Sequence, residues 1–461
     1  MEPLEGTTSG ALNPVDVSTK LQRIAMLAKA APTAALTSLA HHIDVAFLEE
    51  AFRRTRKDGA PGIDGRKAAD FEAHLQGNLL DLLDRFKSGR YRAPAVRRVH
   101  IPKGNGKTRP IGIPTFEDKV LQRAVTMVLE AVYEQDFMSC SYGFRPGRSA
   151  HQALESMWKG LTAIRGGWVV EVDIKSFFDN LDHRHLRSFL DQRVRDGVLR
   201  RMVDKWLRAG VLEGGELRRS ESGSPQGGVI SPLLANVYLH HVLDVWFERE
   251  VRPRLRGQAV LVRYADDVAI GFSNEDDARR VFAALPKRFE RFGLQLHPEK
   301  TRLVRFPQPP YRWRSGEVGS STSLSFERPE TFDLLGFTHH WARAKRGGWA
   351  LFRRTAKDRF RRAVRSVSDW MRDHRHWSLE EQHEMLSRKL RGHMAYYGIT
   401  GNFRRLAAFR TVVVRLWHKW LARRTQRGLP WPRFVRLLAN YPLPLAEVVH
   451  SVFRRVAKPS T

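Results

Sequence analysis

The chain has 461 residues, 42% of them hydrophobic, which is room for about three domains with real cores. A formal charge of +30 excludes an ordinary solvated surface and points to a polyanionic partner, nucleic acid before membrane. The single cysteine, Cys140, excludes an internal disulfide and a cysteine zinc cluster. No apolar run reaches the ~18 residues of a membrane span, and an opening with Glu2 and Glu5 does not read as a secretory signal, so a reducing, cytoplasmic setting is expected.

In chain order, residues 1–19 are rich in Gly, Ser, Thr and Pro and read as disordered. A short helix is expected over Leu21 to Lys29 and a second over His41 to Lys57, followed by the glycine-rich loop Asp58 to Gly65. Two alternating runs, Val96–Lys103 and Lys107–Pro114, flank Asn105-Gly106, a strong hairpin signal. This hairpin carries Lys103 and Arg109, both able to reach a triphosphate, Arg109 with a bidentate fork. Thr115 to Phe137 reads as an apolar-striped helix, with Thr115 and Asp118 resembling a capping box. The loop Ser141 to His151 then presents an aromatic side chain with Arg145 and Arg148, a composition suited to template backbone and base contacts.

Carboxylates follow at strand ends. The apolar run Trp168 to Ile174 carries Asp173 just before a helix is expected, and Asp266-Asp267 interrupt the alternation between Ala259–Tyr264 and Val268–Phe272 where the chain should turn. Two carboxylates at a hairpin tip between buried strands need a compensating charge, which a divalent cation supplies. One Asp at a strand end and two at a hairpin tip is what a two-metal phosphoryl-transfer site requires, its ions about 3.5–4 Å apart. Beside such a site, Phe177 or Phe178 could lie flat under an incoming sugar and exclude a 2′-hydroxyl; Phe178 is the first choice, with Phe177 the alternative. Gly223 to Pro232 is a loop entering a helix, with Ser231 expected as N-cap, and its Gln226 offers donor and acceptor together near a nucleotide. Lys300, after the His297-Pro298 turn, is a candidate to neutralise pyrophosphate. Phe332 to Phe337 reads as a short buried strand.

The segments Ser141 to Ala150, Gln226 to Tyr238, Tyr264 to Asp267 and Leu335-Gly336-Phe337 resemble bacterial group II intron-encoded reverse transcriptases with maturase activity. The resemblance runs in the family's order from about Leu21 to Trp431. It implies an α+β right-hand polymerase: fingers and a palm with an antiparallel sheet over 41–342, and an α-helical thumb or maturase domain over 343–425. An N-terminal extension (1–40) precedes these and a short basic segment (426–461) that could contact DNA follows. Asp173, Ile174, Asp266 and Asp267 would hold two Mg²⁺ ions, with Mn²⁺ as the alternative, and Lys103, Arg109, Gln226 and Lys300 match nucleotide-binding positions. The implied partners are group II intron RNA, an RNA template with a DNA primer, dNTPs and target DNA, with monomer and homodimer both open.

From Trp341 onward 28 Lys and Arg face 7 Asp and Glu, and seven of the twelve tryptophans are interleaved with them. Trp417, Trp420, Arg423 and Arg424 are expected as stacking faces and phosphate partners for RNA, with helix-core packing at i and i+3 the alternative for the two tryptophans. With no cysteine after Cys140, the nuclease domain that many relatives carry is expected to be absent. The sequence departs from the family at Arg66-Lys67, where relatives tend to be apolar, and over Pro442 to Val448. Two competing readings are a host-adopted or defence-linked reverse transcriptase without an intron, and an RNA-binding splicing cofactor with a dormant site.

Overall fold

A computed structural model describes residues 14–104, 107–213, 216–218, 227–310, 327–344, 347–424 and 428–451. The N-terminal part comprises α1 (Pro14–Ala30), α2 (Val45–Arg54), α3 (Ala68–Glu72), α4 (Leu75–Lys87), β1 (Val96–Gly104), β2 (Lys107–Ile113), α5 (Phe116–Tyr133) and α6 (Ala150–Ala163). The middle holds β3 (Gly166–Val172), α7 (His183–Asp191), α8 (Gly197–Arg208), β4 (Val211–Glu213), β5 (Glu216–Arg218), α9 (Ser231–Leu239), β6 (Ala259–Tyr264), β7 (Asp267–Phe272), α10 (Glu275–Glu290) and β8 (Arg302–Pro307). The C-terminal part is β9 (Phe332–Leu334), β10 (Phe337–Arg343), β11 (Trp349–Thr355), α11 (Lys357–Asp373), α12 (Leu379–Tyr397), α13 (Phe403–Ala422) and α14 (Trp431–Asn440). The result is a mixed α+β protein with many helices and sheets that are antiparallel apart from the parallel β1–β4 pair.

The central sheet has the order β6-β7-β3-β8, every pair antiparallel. The alternation in β6 and β7 predicts one buried face, yet β7 is buried from Val268 to Phe272. Both faces are covered. Val170, Val172, Leu261, Val268, Ile270 and Phe272 join a core built with α5, α9 and α10, while Val169, Val262, Ala269 and Val304 pack with Leu154, Met157 and Leu161 of α6. Burial on both sides replaces a polar outer face with small or branched apolar residues, so the period of two is blurred.

The β1–β2 hairpin forms as expected, with Arg97 opposite Ile113. Thr115 caps α5 by accepting from the Asp118 amide (3.3 Å), but the reciprocal half of a capping box does not form. The Asp118 carboxylate is buried and instead accepts from Tyr91 Oη (2.9 Å), Trp206 Nε1 (2.6 Å) and Gln122 Nε2 (2.8 Å).

Several expected boundaries move. The first helix starts at Pro14 rather than Leu21 because Val17 extends the stripe of Ile24 and Ala28, all buried in the first core, so 14–19 is ordered and the described part of the N-terminal extension belongs to that core. The second helix begins at Val45, since Asp44 caps it by accepting from the Phe47 amide and also pairs with Lys20 of α1 (2.6 Å). The Phe332–Phe337 run is not one strand. Leu335 and Gly336, both with positive φ, turn the chain from β9 into β10. The 342/343 boundary falls inside β10, and the C-terminal helices begin only at Lys357. Nor is 426–461 a separate segment in its described part, because Phe434 and Leu443 lie in one core with Leu386, Leu390, Phe409 and Val413. Among the described residues no helix is long and apolar enough to cross a membrane.

Candidate active site

β6 and β7 are joined by a two-residue turn, Ala265-Asp266, with Tyr264 paired to Asp267. Ala265 takes a φ of +56°. Positive φ at the first turn residue belongs to the primed turns that match strand twist, where glycine is usual. The turn thus places Asp266 at the tip and Asp267 at the first position of β7. On the other side of β7, Val172 pairs with Val268. Asp173, one residue beyond, therefore enters the row opposite Asp267. Antiparallel register places three carboxylates from two distant segments at the same end of the central sheet.

The Asp173 backbone is fastened to the 297–301 turn. Its carbonyl accepts from the His297 amide (2.8 Å), and its amide donates to Thr301 Oγ1 (3.2 Å). That turn delivers Lys300, whose Nζ lies 3.2 and 3.3 Å from the Asp173 carboxylate oxygens. Asp267 is exposed at the start of β7, with the rest of that strand buried. The surrounding protein, Asp266 and Asp173 push its carboxyl up to about 6, against the pull of Arg359 and Arg109. Ile174 is buried and can offer only its carbonyl. Among the described residues no three acidic, His or Cys side chains are grouped closely enough to form a metal cage unaided, in keeping with Lys300 standing on Asp173.

Arg109 is exposed on β2, close enough for its charge to be felt at Asp267. The Lys103 side chain and the whole of Gln226 lie outside the described residues. Gly227, next to Gln226, has a φ of +119°, and a Cβ there would stand 2.4 Å from the Gly112 carbonyl oxygen, so Gly227 itself lies against β2. The helix after it begins one residue earlier than expected, with Ile230 at the cap and Ser231 within α9. In place of a side-chain cap from Ser231, Gln122 Oε1 accepts from the Val229 (2.7 Å) and Ile230 (3.3 Å) amides. Phe177 is buried in the first core, whereas Phe178 is half-buried with its ring 5.3 Å from that of Phe177. Of the two, Phe178 retains a free face.

The expected RNA contacts divide by burial. Arg145 is buried, spending its guanidinium on Glu134 and on the Met138 and Ser141 carbonyls, which corrects its assignment as a nucleic-acid contact. Arg148 is exposed beside the Tyr142 ring. Trp417 is fully buried and donates to Gln382 Oε1 (3.0 Å), so it packs the helical core and cannot stack on a base. Trp420 is half-buried between Lys419 and Arg423. Arg423 is exposed, and Arg424, also at the surface, donates to the Trp377 carbonyl.

The aromatic that the Ser141 to His151 loop presents is exposed Phe144, its ring 6.3 Å from that of Tyr264, whereas sequence reasoning missed Arg359. It also gave no role to Arg263. Only the fold brings Arg359, on α11, toward Asp267, and nothing local marks it. Arg263 stood in plain view beside the aspartates, but a lone arginine in a strand reads as a surface charge.

The family model described as reverse transcriptase (RNA-dependent DNA polymerase) matches residues 101–339. The chain is 41% identical to Protein YkfC of Escherichia coli (strain K12) over 216 residues, 46% of this chain and 57% of that protein. It is 42% identical to Group II intron-encoded protein LtrA of Lactococcus lactis subsp. cremoris over 181 residues, 38% of this chain and 30% of that one. Similarity extends, at 27% identity over 236 residues, to Nuclear intron maturase 2, mitochondrial, of Arabidopsis thaliana, 41% of this chain and 31% of that protein. The matches thus span just over half the length of the first of these relatives and under a third of LtrA. The family match covers Asp173, Asp266 and Asp267 and more than half of the chain, which belongs to the reverse transcriptase family.

Proposed function

We propose that the protein is an RNA-directed DNA polymerase that also binds a group II intron RNA and assists its splicing and mobility. The observation that carries the polymerase reading is the register placing Asp173 opposite Asp267, beside Asp266 on its two-residue turn. In this reading the central sheet with α5, α6 and α10 is the palm, the β1–β2 hairpin with the N-terminal helices forms the fingers, and α11–α14 form the thumb.

The three carboxylates are hard oxygen donors suited to Mg²⁺ or Mn²⁺, and the Asp267 carboxyl, raised first by burial and then by Asp266 and Asp173, is one that a cation would stabilise in its charged form. When bound, a pair of such ions supplies a Lewis acid for the attacking primer hydroxyl and the leaving pyrophosphate. Asp173, Asp266 and Asp267 would hold the pair. Lys300 leaves Asp173 to neutralise the pyrophosphate, Arg109 grips the triphosphate, and Phe178 lies under the deoxyribose. Lys103 and Gln226 are assigned to the same nucleotide. Arg148, Trp420, Arg423 and the basic surface of α11 offer RNA contacts, and the LtrA and maturase similarities support an intron RNA as the ligand.

With an RNA template, DNA primer, dNTPs and Mg²⁺ the protein should extend the primer. Asp266→Asn should reduce extension at least about a hundredfold, because it removes charge stabilisation felt most in the transition state, and should leave RNA binding intact. An Asp266→Asn protein that polymerised normally would refute the site.

A further inference from the structure

Ala265 occupies a backbone region that an alanine avoids unless its surroundings hold it there. What holds it is the residue two positions earlier. Arg263 and Asp244, which follows α9, are both fully buried and form a two-pronged pair, Nε to Oδ1 at 2.8 Å and Nη2 to Oδ2 at 2.6 Å. The remaining donors are also used. Nη1 donates to Asn236 Oδ1 (2.8 Å) and to the Ala265 carbonyl (3.2 Å), and Nη2 to Ser141 Oγ (2.7 Å). All five N–H groups of one guanidinium therefore have acceptors, one of them the turn itself.

The same network ties in a third segment. The backbone of Arg263 exchanges hydrogen bonds with Cys140 O and Tyr142 N, both 2.8 Å, laying 141–143 alongside the end of β6. Asn236 Nδ2 donates to the Gly143 carbonyl (2.7 Å). A Cβ on Gly143 would lie 2.4 Å from the Ala265 amide nitrogen, so this segment abuts the turn from the other side.

We infer that Arg263, neutralised by Asp244, is a positioning residue that fixes the Ala265-Asp266 turn and so sets where the Asp266 carboxylate stands. The inference rests on the polymerase reading above. Its chemistry demands arginine. A lysine keeps the charge opposite Asp244 but offers three donors from a single point, which cannot serve Asp244, Asn236, Ser141 and the turn together.

The test is steady-state primer extension by the full chain, with a melting curve for each variant. Arg263→Lys should lower kcat by tens of fold, leave the dNTP KM within about threefold, and raise the Mg²⁺ concentration needed for half-maximal rate, because a displaced carboxylate weakens the metal site rather than the nucleotide site. Simple loss of folded protein would lower kcat alone, in proportion to the unfolded fraction, without moving the Mg²⁺ requirement. If Arg263→Lys does not fold, Ser141→Ala, which removes one acceptor and no charge, should show the same pattern at a few-fold. A folded variant with unchanged kcat and Mg²⁺ requirement would overturn the role of Arg263 alone. Failure of the unsubstituted chain to extend a primer would overturn the polymerase reading and the inference with it.

Discussion

The central sheet and the C-terminal helices use arginine in opposite ways. Around β6 and β7, Arg263 is fully buried and each donor has a fixed acceptor. On α11, Arg361 and Arg365 stand in solvent, and the apolar core lies beneath them. The tryptophans follow the same division, with Trp417 inside and Trp420 at the edge. Fixed chemistry needs charges whose positions the fold determines. Recognition of a polyanion needs charges the fold leaves free. Residue type alone does not separate the two.

The sharpest way to break this comparison is at Trp417. If it is core, Trp417→Ala should destabilise the helical region by about 3–5 kcal/mol, the usual loss for a buried large aromatic, and orphan Gln382 Oε1. Denaturant melting measures this directly. A stable Trp417→Ala protein with weakened RNA binding would return Trp417 to the RNA surface.

The strand-end placement of the three aspartates was legible because it is local to strands. Asp173, Asp266 and Asp267 sit at strand ends, and pairing register does the rest. The β1–β2 hairpin was legible for the same reason, from its Asn105-Gly106 turn signal. What was not legible depended on partners far along the chain. Arg145 reads as an exposed loop cation until Glu134 is seen beside it, and Asp118 as half of a capping box until Tyr91 and Trp206 claim its oxygens. The domain boundary expected at 342/343 cuts β10, because β10 pairs with β11, a strand that the basic composition of the C-terminal region concealed.

Asp118 and Asp267 sharpen the comparison within one residue type, since both carboxyls are pushed up to about 6. For Asp118 the cause is burial, opposed by its three donors. It holds α5 to α8 and, through Gln122, to the start of α9. A folded value above the ordinary 3.8 means its contribution to stability is fully present below 3.8 and is lost as pH rises through 6. Between pH 4 and pH 7 the unfolding free energy of the unsubstituted protein should therefore fall, relative to that of Asp118→Asn, by about 2 kcal/mol. Urea melts of both proteins across this range give the difference, and a flat difference would show that the folded carboxyl titrates normally.

The smallest effect concerns the exposed arginines, and it distinguishes charge from recognition. Arg361 and Arg365 lie on the solvent side of α11, near whose start the charge of Arg359 is felt at Asp267. If both contact phosphate, replacing them with Gln should weaken RNA binding uniformly and reduce the steepness of its log–log salt dependence by roughly one to two units. Cognate intron RNA and a length-matched random RNA should lose affinity together, because phosphate contacts carry no sequence information. Trp420→Ala should do the reverse. Its indole sits between Lys419 and Arg423 and carries no charge, so the salt slope should hold while the margin by which cognate RNA outlasts random RNA narrows. An unchanged slope in the arginine variant would place the RNA on another face of the helical region. An unsubstituted protein that releases cognate and random RNA at the same salt concentration would remove the maturase role and leave a basic polymerase.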